Sequence, residues 1–188
     1  VVGLHPENIS EDFDYTIFDS LDKKIVGIGE IGLDYHYTKD NKDKQIEIFE
    51  RQLDIAEKLN LPVVIHSRDA AGDTLEILKK HHNFGVIHSF SGSLEMAREY
   101  IKLGFVLGVN GVVTFKNCNL SDTLKNIDIN SIILETDSPY LTPVPFRGTQ
   151  NNPAKMMNTA KFVADIYVVS LSELAKITNQ NIKRIFDI

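Results

Sequence analysis

One cysteine, Cys118, is too few for a disulfide framework, which fits a reducing compartment: the cytoplasm, or the nucleus in a eukaryote. No run of 18 apolar residues is present to span a bilayer as a helix, so no membrane partner is expected. Val1-Val2-Gly3-Leu4 has neither a charged leader nor a long apolar core, so this stretch is not expected to be a signal peptide. It reads as the end of a strand, so the chain is expected to begin inside a domain. The Gly-rich phosphate fingerprint of a dinucleotide fold is missing, because Gly27-Ile28-Gly29 lies inside a strand rather than ahead of a helix. There is no low-complexity segment and no interdomain linker. A basic surface is missing too: with 20 bases against 26 acids the net charge is −6. The surface as a whole therefore does not advertise nucleic-acid binding; a basic face is one way to hold phosphates, and a metal cluster with a few arginines is another.

What is present is enough for one buried core. The 188 residues, 43% of them hydrophobic, suit a single domain over residues 1–188. Apolar runs ending in turn signals predict six strands: Val1–Leu4, Lys24–Glu30, Leu61–His66, Gly85–His88, Gly104–Asn110 and Ser131–Asp137. A turn is expected at Gly32–Tyr35, after the second of these. Between them, Ile46, Phe49, Leu53, Ala56 and Leu59 fall at helical spacing over about Asn41–Asn60. Further helices are predicted over Asp69–His82, from the N-cap Ser93 to Leu103, and over Ser121–Asn126. Past the proline-rich loop Pro139–Pro153, three more follow: one to Tyr167, one from Ser170 to Ile177, and one capped by Asn179. Alternating strands and helices imply a parallel sheet, either open and doubly wound or closed as a (β/α)8 TIM-type barrel. Ligands on several strand tips must converge on one axis, which a barrel achieves and an open sheet does not. Six strands are two short of a barrel, and the chain is ~60 residues shorter than a typical one. An amino-terminally incomplete barrel accounts for both.

Four strands end in residues able to bind a metal: Glu30, His66, His88 and Asp137. A lone histidine at a strand end is more often hydrogen-bonded scaffolding. Four such residues at equivalent positions are not explained by packing. Two imidazoles and two carboxylates suit zinc, manganese or magnesium, and a carboxylate can bridge two ions. Asp137 can also take the proton of an attacking water as general base. His5 ends another strand and is a candidate ligand or substrate contact. Arg68 and Arg147 lie in loops where each can hold a phosphate through its bidentate fork, with Lys116 a weaker candidate. Tyr35, Phe90 and Phe115 could stack on a base, although such aromatics usually pack. His36, His81 and His82 are expected to be satisfied locally.

Taken together, several segments resemble the TatD family of metal-dependent deoxyribonucleases. They are Gly3-Leu4-His5-Pro6, Gly29-Glu30-Ile31-Gly32-Leu33-Asp34-Tyr35, Ile65-His66-Ser67-Arg68, His88-Ser89-Phe90-Ser91-Gly92, Gly111–Asn117 and Glu135-Thr136-Asp137-Ser138-Pro139-Tyr140-Leu141. The likeness runs from residue 1 to Phe186. It implies an amidohydrolase-type barrel with one or two divalent ions, held by Glu30, His66, His88 and Asp137. Glu30 would then be the bridging ligand, and Asp137 the base. It also implies hydrolysis of DNA phosphodiesters, as 3′-5′ exonuclease trimming of single-stranded ends. The family's first strand carries a His-x-His pair that this chain lacks, and Asn152 stands where the family usually has glutamate. Two other readings stay open: the same fold hydrolysing an ester or amide such as D-aminoacyl-tRNA, and a catalytically impaired remnant.

Overall fold

A computed structural model of the chain describes residues 1–9, 13–36 and 40–188. Residues 10–12 of the acidic loop expected near the start lie outside the described residues. The chain gathers into two compact units, Val1–His88 with Ile185–Ile188, and Ser89–Arg184.

In the first unit β1 (Ile28–Asp34), β2 (Val63–Arg68) and β3 (Gly85–Ile87) pair side by side in parallel. Helix α1 (Lys42–Leu59) connects β1 to β2, and α2 (Ala71–Leu78) connects β2 to β3. Ile28, Ile31, Leu33, Phe49, Leu53, Val63 and Ile65 are fully buried, and each such side chain contributes roughly 1.5–3 kcal/mol. The second unit holds the parallel pair β4 (Phe105–Val109) and β5 (Ile132–Leu134). Its helices are α3 (Leu94–Lys102), α4 (Leu120–Leu124), α5 (Met156–Tyr167) and α6 (Leu171–Phe186), the last of which belongs to this unit up to Arg184. Ser93 caps α3 as expected, its hydroxyl accepting the Met96 N–H at 3.4 Å.

The predicted strand Val1–Leu4 is instead a single bridge, Val2 to Ile28. The reason lies at Leu4, whose N–H and C=O are both taken by the side-chain amide of Gln52, at 2.7 and 3.2 Å. Gln52 thus completes a ladder that the strand does not. The second predicted strand is shifted: β1 runs through Gly32 to Asp34, where a turn was expected. Gly32 makes this possible. It has φ +139°, and a Cβ there would fall on the carbonyl oxygen of His66. The buried face of α1 also differs. Leu59 is 40% exposed, whereas Gln45 and Gln52 are buried, because each satisfies backbone groups of a neighbouring segment. Finally, Asn179 caps nothing. The two terminal helices are one, α6, with Asn181 donating to the Ile129 and Ile132 carbonyls at 3.2 and 2.8 Å.

Candidate metal centre

Strand β1 is irregular where its acid sits. Gly29 pairs with Val64 and Ile31 with Ile65, so Glu30 has no partner in the register. A bulge of this kind re-aims a side chain. Here it brings Glu30 Oε1 to 3.2 Å from His66 Nδ1 and 3.6 Å from His88 Nε2. The His66 imidazole is held at its other nitrogen as well, with Nε2 2.9 Å from Oδ2 of Asp34. His5 closes the group, its ring edge-on to that of His66. Its Nδ1 accepts the Glu7 N–H at 3.2 Å.

These neighbours set the charges. Burial alone would raise the Glu30 carboxyl, but the His66 hydrogen bond and the nearby His88 and His5 hold it below the ordinary carboxylate range. Burial works against the charged form of His66, yet hydrogen bonds to Glu30 and Asp34 lift it above a free imidazole. His5 moves the other way: burial, reinforced by His66, lowers it. One anionic carboxylate among imidazoles is a donor set for a divalent cation. His5, Glu30 and His66 each offer a ligand atom, all within 4.8 Å of one another. The residues fit the group.

The predicted residues fall as follows. Glu30, His66 and His88 come together in the first unit. Only His88 directly follows its strand, however; Glu30 is in the middle of β1, and His66 is followed by Ser67 and Arg68 within β2. Arg68 ends β2 and is exposed, its carbonyl accepting the Tyr35 N–H at 2.9 Å. Asp137 and Arg147 belong to the second unit. Asp137 follows β5 by three residues, at φ +55°, and its carbonyl accepts the Tyr140 N–H. Arg147 stacks on the Phe115 ring at 3.6 Å. Lys116 is exposed. Tyr35 and Phe90 are buried, which fits packing rather than base stacking. His36 pairs with Asp69 at 2.9 Å, and His81 lies 3.4 Å from Asp54.

Sequence reasoning missed two acids. Asp34 lies four residues after Glu30, on the same face of β1 at the strand period of two. Placing a turn at Gly32–Tyr35 concealed this. Glu135 accepts the Ser89 N–H at 2.6 Å, in space left by the absent side chain of Gly108. Asn110 donates to the Ser89 hydroxyl at 2.7 Å.

The family model described as TatD related DNase matches residues 1–187. The chain belongs to the TatD family. Among TatD relatives, the uncharacterized metal-dependent hydrolase YabD of Bacillus subtilis is 41% identical, over all of this chain and 76% of its own length. The uncharacterized metal-dependent hydrolase YcfH of Escherichia coli K12 is 39% identical, over 99% of this chain and 72% of its own. The crystal structure of YJJV, a TatD homolog from Escherichia coli K12, superposes with a TM-score of 0.90 at 29% identity, covering the whole chain and 76% of that protein. The α/β fold of TIM-barrel type expected from the sequence is therefore the fold of this TatD chain, with five parallel strands among the described residues rather than six. The chain is a metal-dependent hydrolase of the family. No helix among the described residues is long and apolar enough to cross a membrane.

Proposed function

We propose that this TatD-family hydrolase cleaves DNA phosphodiesters, trimming single-stranded ends in the 3′-5′ direction. The observation that carries the reading is the sharing of Glu30 Oε1 between two imidazoles, at 3.2 Å from His66 and 3.6 Å from His88. A carboxylate oxygen poised between two nitrogen donors suits a bridging ligand. The description of the matching family model supports DNA as substrate.

In this reading Glu30, His66, His88 and Asp137 hold one or two divalent ions of magnesium, manganese or zinc. Ions held there would supply positive charge to polarise the phosphoryl group and acidify an attacking water. The Asp137 carboxylate accepts that water's proton. His5 serves the substrate rather than the ion: with Nδ1 accepting from Glu7, the neutral ring carries its proton on Nε2 and donates from there. Arg68 and Arg147 hold backbone phosphates through their N–H edges, which ring stacking of the Arg147 guanidinium face leaves accessible. A single thiol suits a reducing compartment, the cytoplasm or a nucleus.

The test is magnesium- or manganese-dependent shortening of an end-labelled single-stranded oligonucleotide, with Asp137→Asn alongside. Loss of shortening in the variant is expected. Equal rates in both proteins overturn the reading. Cleavage of a D-aminoacyl-tRNA or lactone in a parallel panel, with DNA untouched, transfers the site to that ester. Bound metal without turnover of any substrate identifies a binding remnant.

A further inference from the structure

We propose that Asp34 is a positioning residue that fixes the tautomer of His66, and that Gln45 holds Asp34 in place. This rests on the reading of His66 as a metal ligand. His66 spends its two ring nitrogens on two different carboxylates: Nδ1 faces Glu30 at 3.2 Å, and Nε2 faces Asp34 at 2.9 Å. Nδ1 is the nitrogen that faces Glu30, so His66 can offer a lone pair on that side only while its proton stays on Nε2. The Asp34 carboxylate, as an acceptor, selects that tautomer. A carboxylate behind a ligating imidazole also fixes the ring's orientation and raises its basicity.

Asp34 is built for the task. The residue is 4% exposed, and neither carboxylate oxygen is idle: Oδ2 faces His66 and Oδ1 accepts the His36 N–H at 2.8 Å. Its backbone is fixed from the other side. The next residue, Tyr35, donates to the Arg68 carbonyl of β2. Alternation along the strand therefore turns the N–H and C=O of Asp34 away from β2. Among the described residues no strand covers them. Instead the Gln45 amide accepts from Asp34 N–H and donates to Asp34 C=O, both at 2.8 Å, and also donates to Asn41 Oδ1 at 2.9 Å. Gln45 is itself only 2% exposed. Without it two buried backbone groups would go unpaired, and β1 would be free to shift the carboxylate off the ring.

The experiment uses the full chain with Asp34→Ala, Asp34→Asn, Gln45→Met and His66→Ala, each checked for folding by thermal melting. The first readout is the ring 15N chemical shifts of His66 in metal-free protein, at a pH where the ring is neutral. The second is the affinity for Mn2+ by titration calorimetry. The native protein should show a single Nε2–H tautomer. Asp34→Ala should show a mixture and bind Mn2+ roughly 10–100-fold more weakly. Asp34→Asn keeps an acceptor oxygen and should fall between. If Asp34→Ala does not fold, Gln45→Met carries the test, with a partial shift in both readouts expected. A lower melting temperature with tautomer and affinity unchanged assigns Asp34 and Gln45 to structure alone and overturns the proposal. His66→Ala with undiminished Mn2+ affinity overturns the ligand reading instead, so the two failures are distinguishable.

Discussion

The imidazoles of His5 and His66 meet edge to face with ring centroids 4.5 Å apart, and their proton affinities are driven in opposite directions. His66 gains from two acids what burial would take from it, whereas His5 is pressed toward the neutral form by burial and by His66 itself. Two like rings in one site thus differ in charge tendency: one leans on carboxylates, and the other is held toward the neutral form.

His5→Ala should therefore leave Mn2+ affinity near the native value while raising KM for an oligonucleotide. Losing one hydrogen bond of ordinary strength predicts a rise of roughly 2–10-fold. Steady-state kinetics beside calorimetry reads both quantities. A collapse of metal affinity would make His5 a ligand.

The pH dependence of the metal-free protein follows from His66. Its folded value lies above the ordinary 6.5, so the stability it contributes is fully present below 6.5 and is lost as pH rises through the raised value. Chelator-treated protein should melt at progressively lower temperature as pH rises from 6.5 through that raised value. Glu30→Gln removes a hydrogen-bond partner that raises His66, and should flatten the decline. An identical decline in the variant would show that another group is responsible.

Gly32→Ala should destabilise the protein. The position has φ +139°, and the new methyl would meet the His66 carbonyl. Strain of this kind costs roughly 1–3 kcal/mol, readable by denaturant unfolding. Because Gly32 pairs with His66 in the β1–β2 register, Mn2+ binding should weaken too. Unchanged stability would mean that β1 and β2 can separate at no cost.

Val168→Gly should do the reverse. Val168 closes α5 at φ 55°, ψ 45° and is 90% exposed, so a β-branched residue occupies a left-handed position with no packing to offset it. Relief of roughly 1 kcal/mol is expected, visible as a higher melting temperature with unchanged activity. No gain would show that the Val168 methyls contribute more than their exposure implies.

Much of this architecture can be read before any coordinates. β2 and β4 are apolar runs bounded by turn signals, and α3 announces itself through Ser93. Glu30, His66 and His88 stand out because acids and imidazoles interrupt apolar runs. What escapes reading follows from interactions with no local signal. The glycines at 27, 29 and 32 obscure how far β1 extends. Because β1 runs on through Gly32, Glu30 lies mid-strand rather than at a strand end, and Asp34 is hidden in what reads as a turn. Gln45 and Gln52 look like solvated helix residues, since only the segments they bind explain their burial. Asn179 resembles a cap in composition, but α6 has no proline or glycine to interrupt it.

The two buried glutamines make α1 a ruler. Seven residues at about 1.5 Å each separate their anchor points along the helix axis by about 10 Å. One end of the scale grips the chain just before His5, and the other grips it at Asp34. The spacing between these two stations is thus set by the pitch of a helix, whatever path the polypeptide takes between them, and a one-turn slip of α1 would unseat both at once.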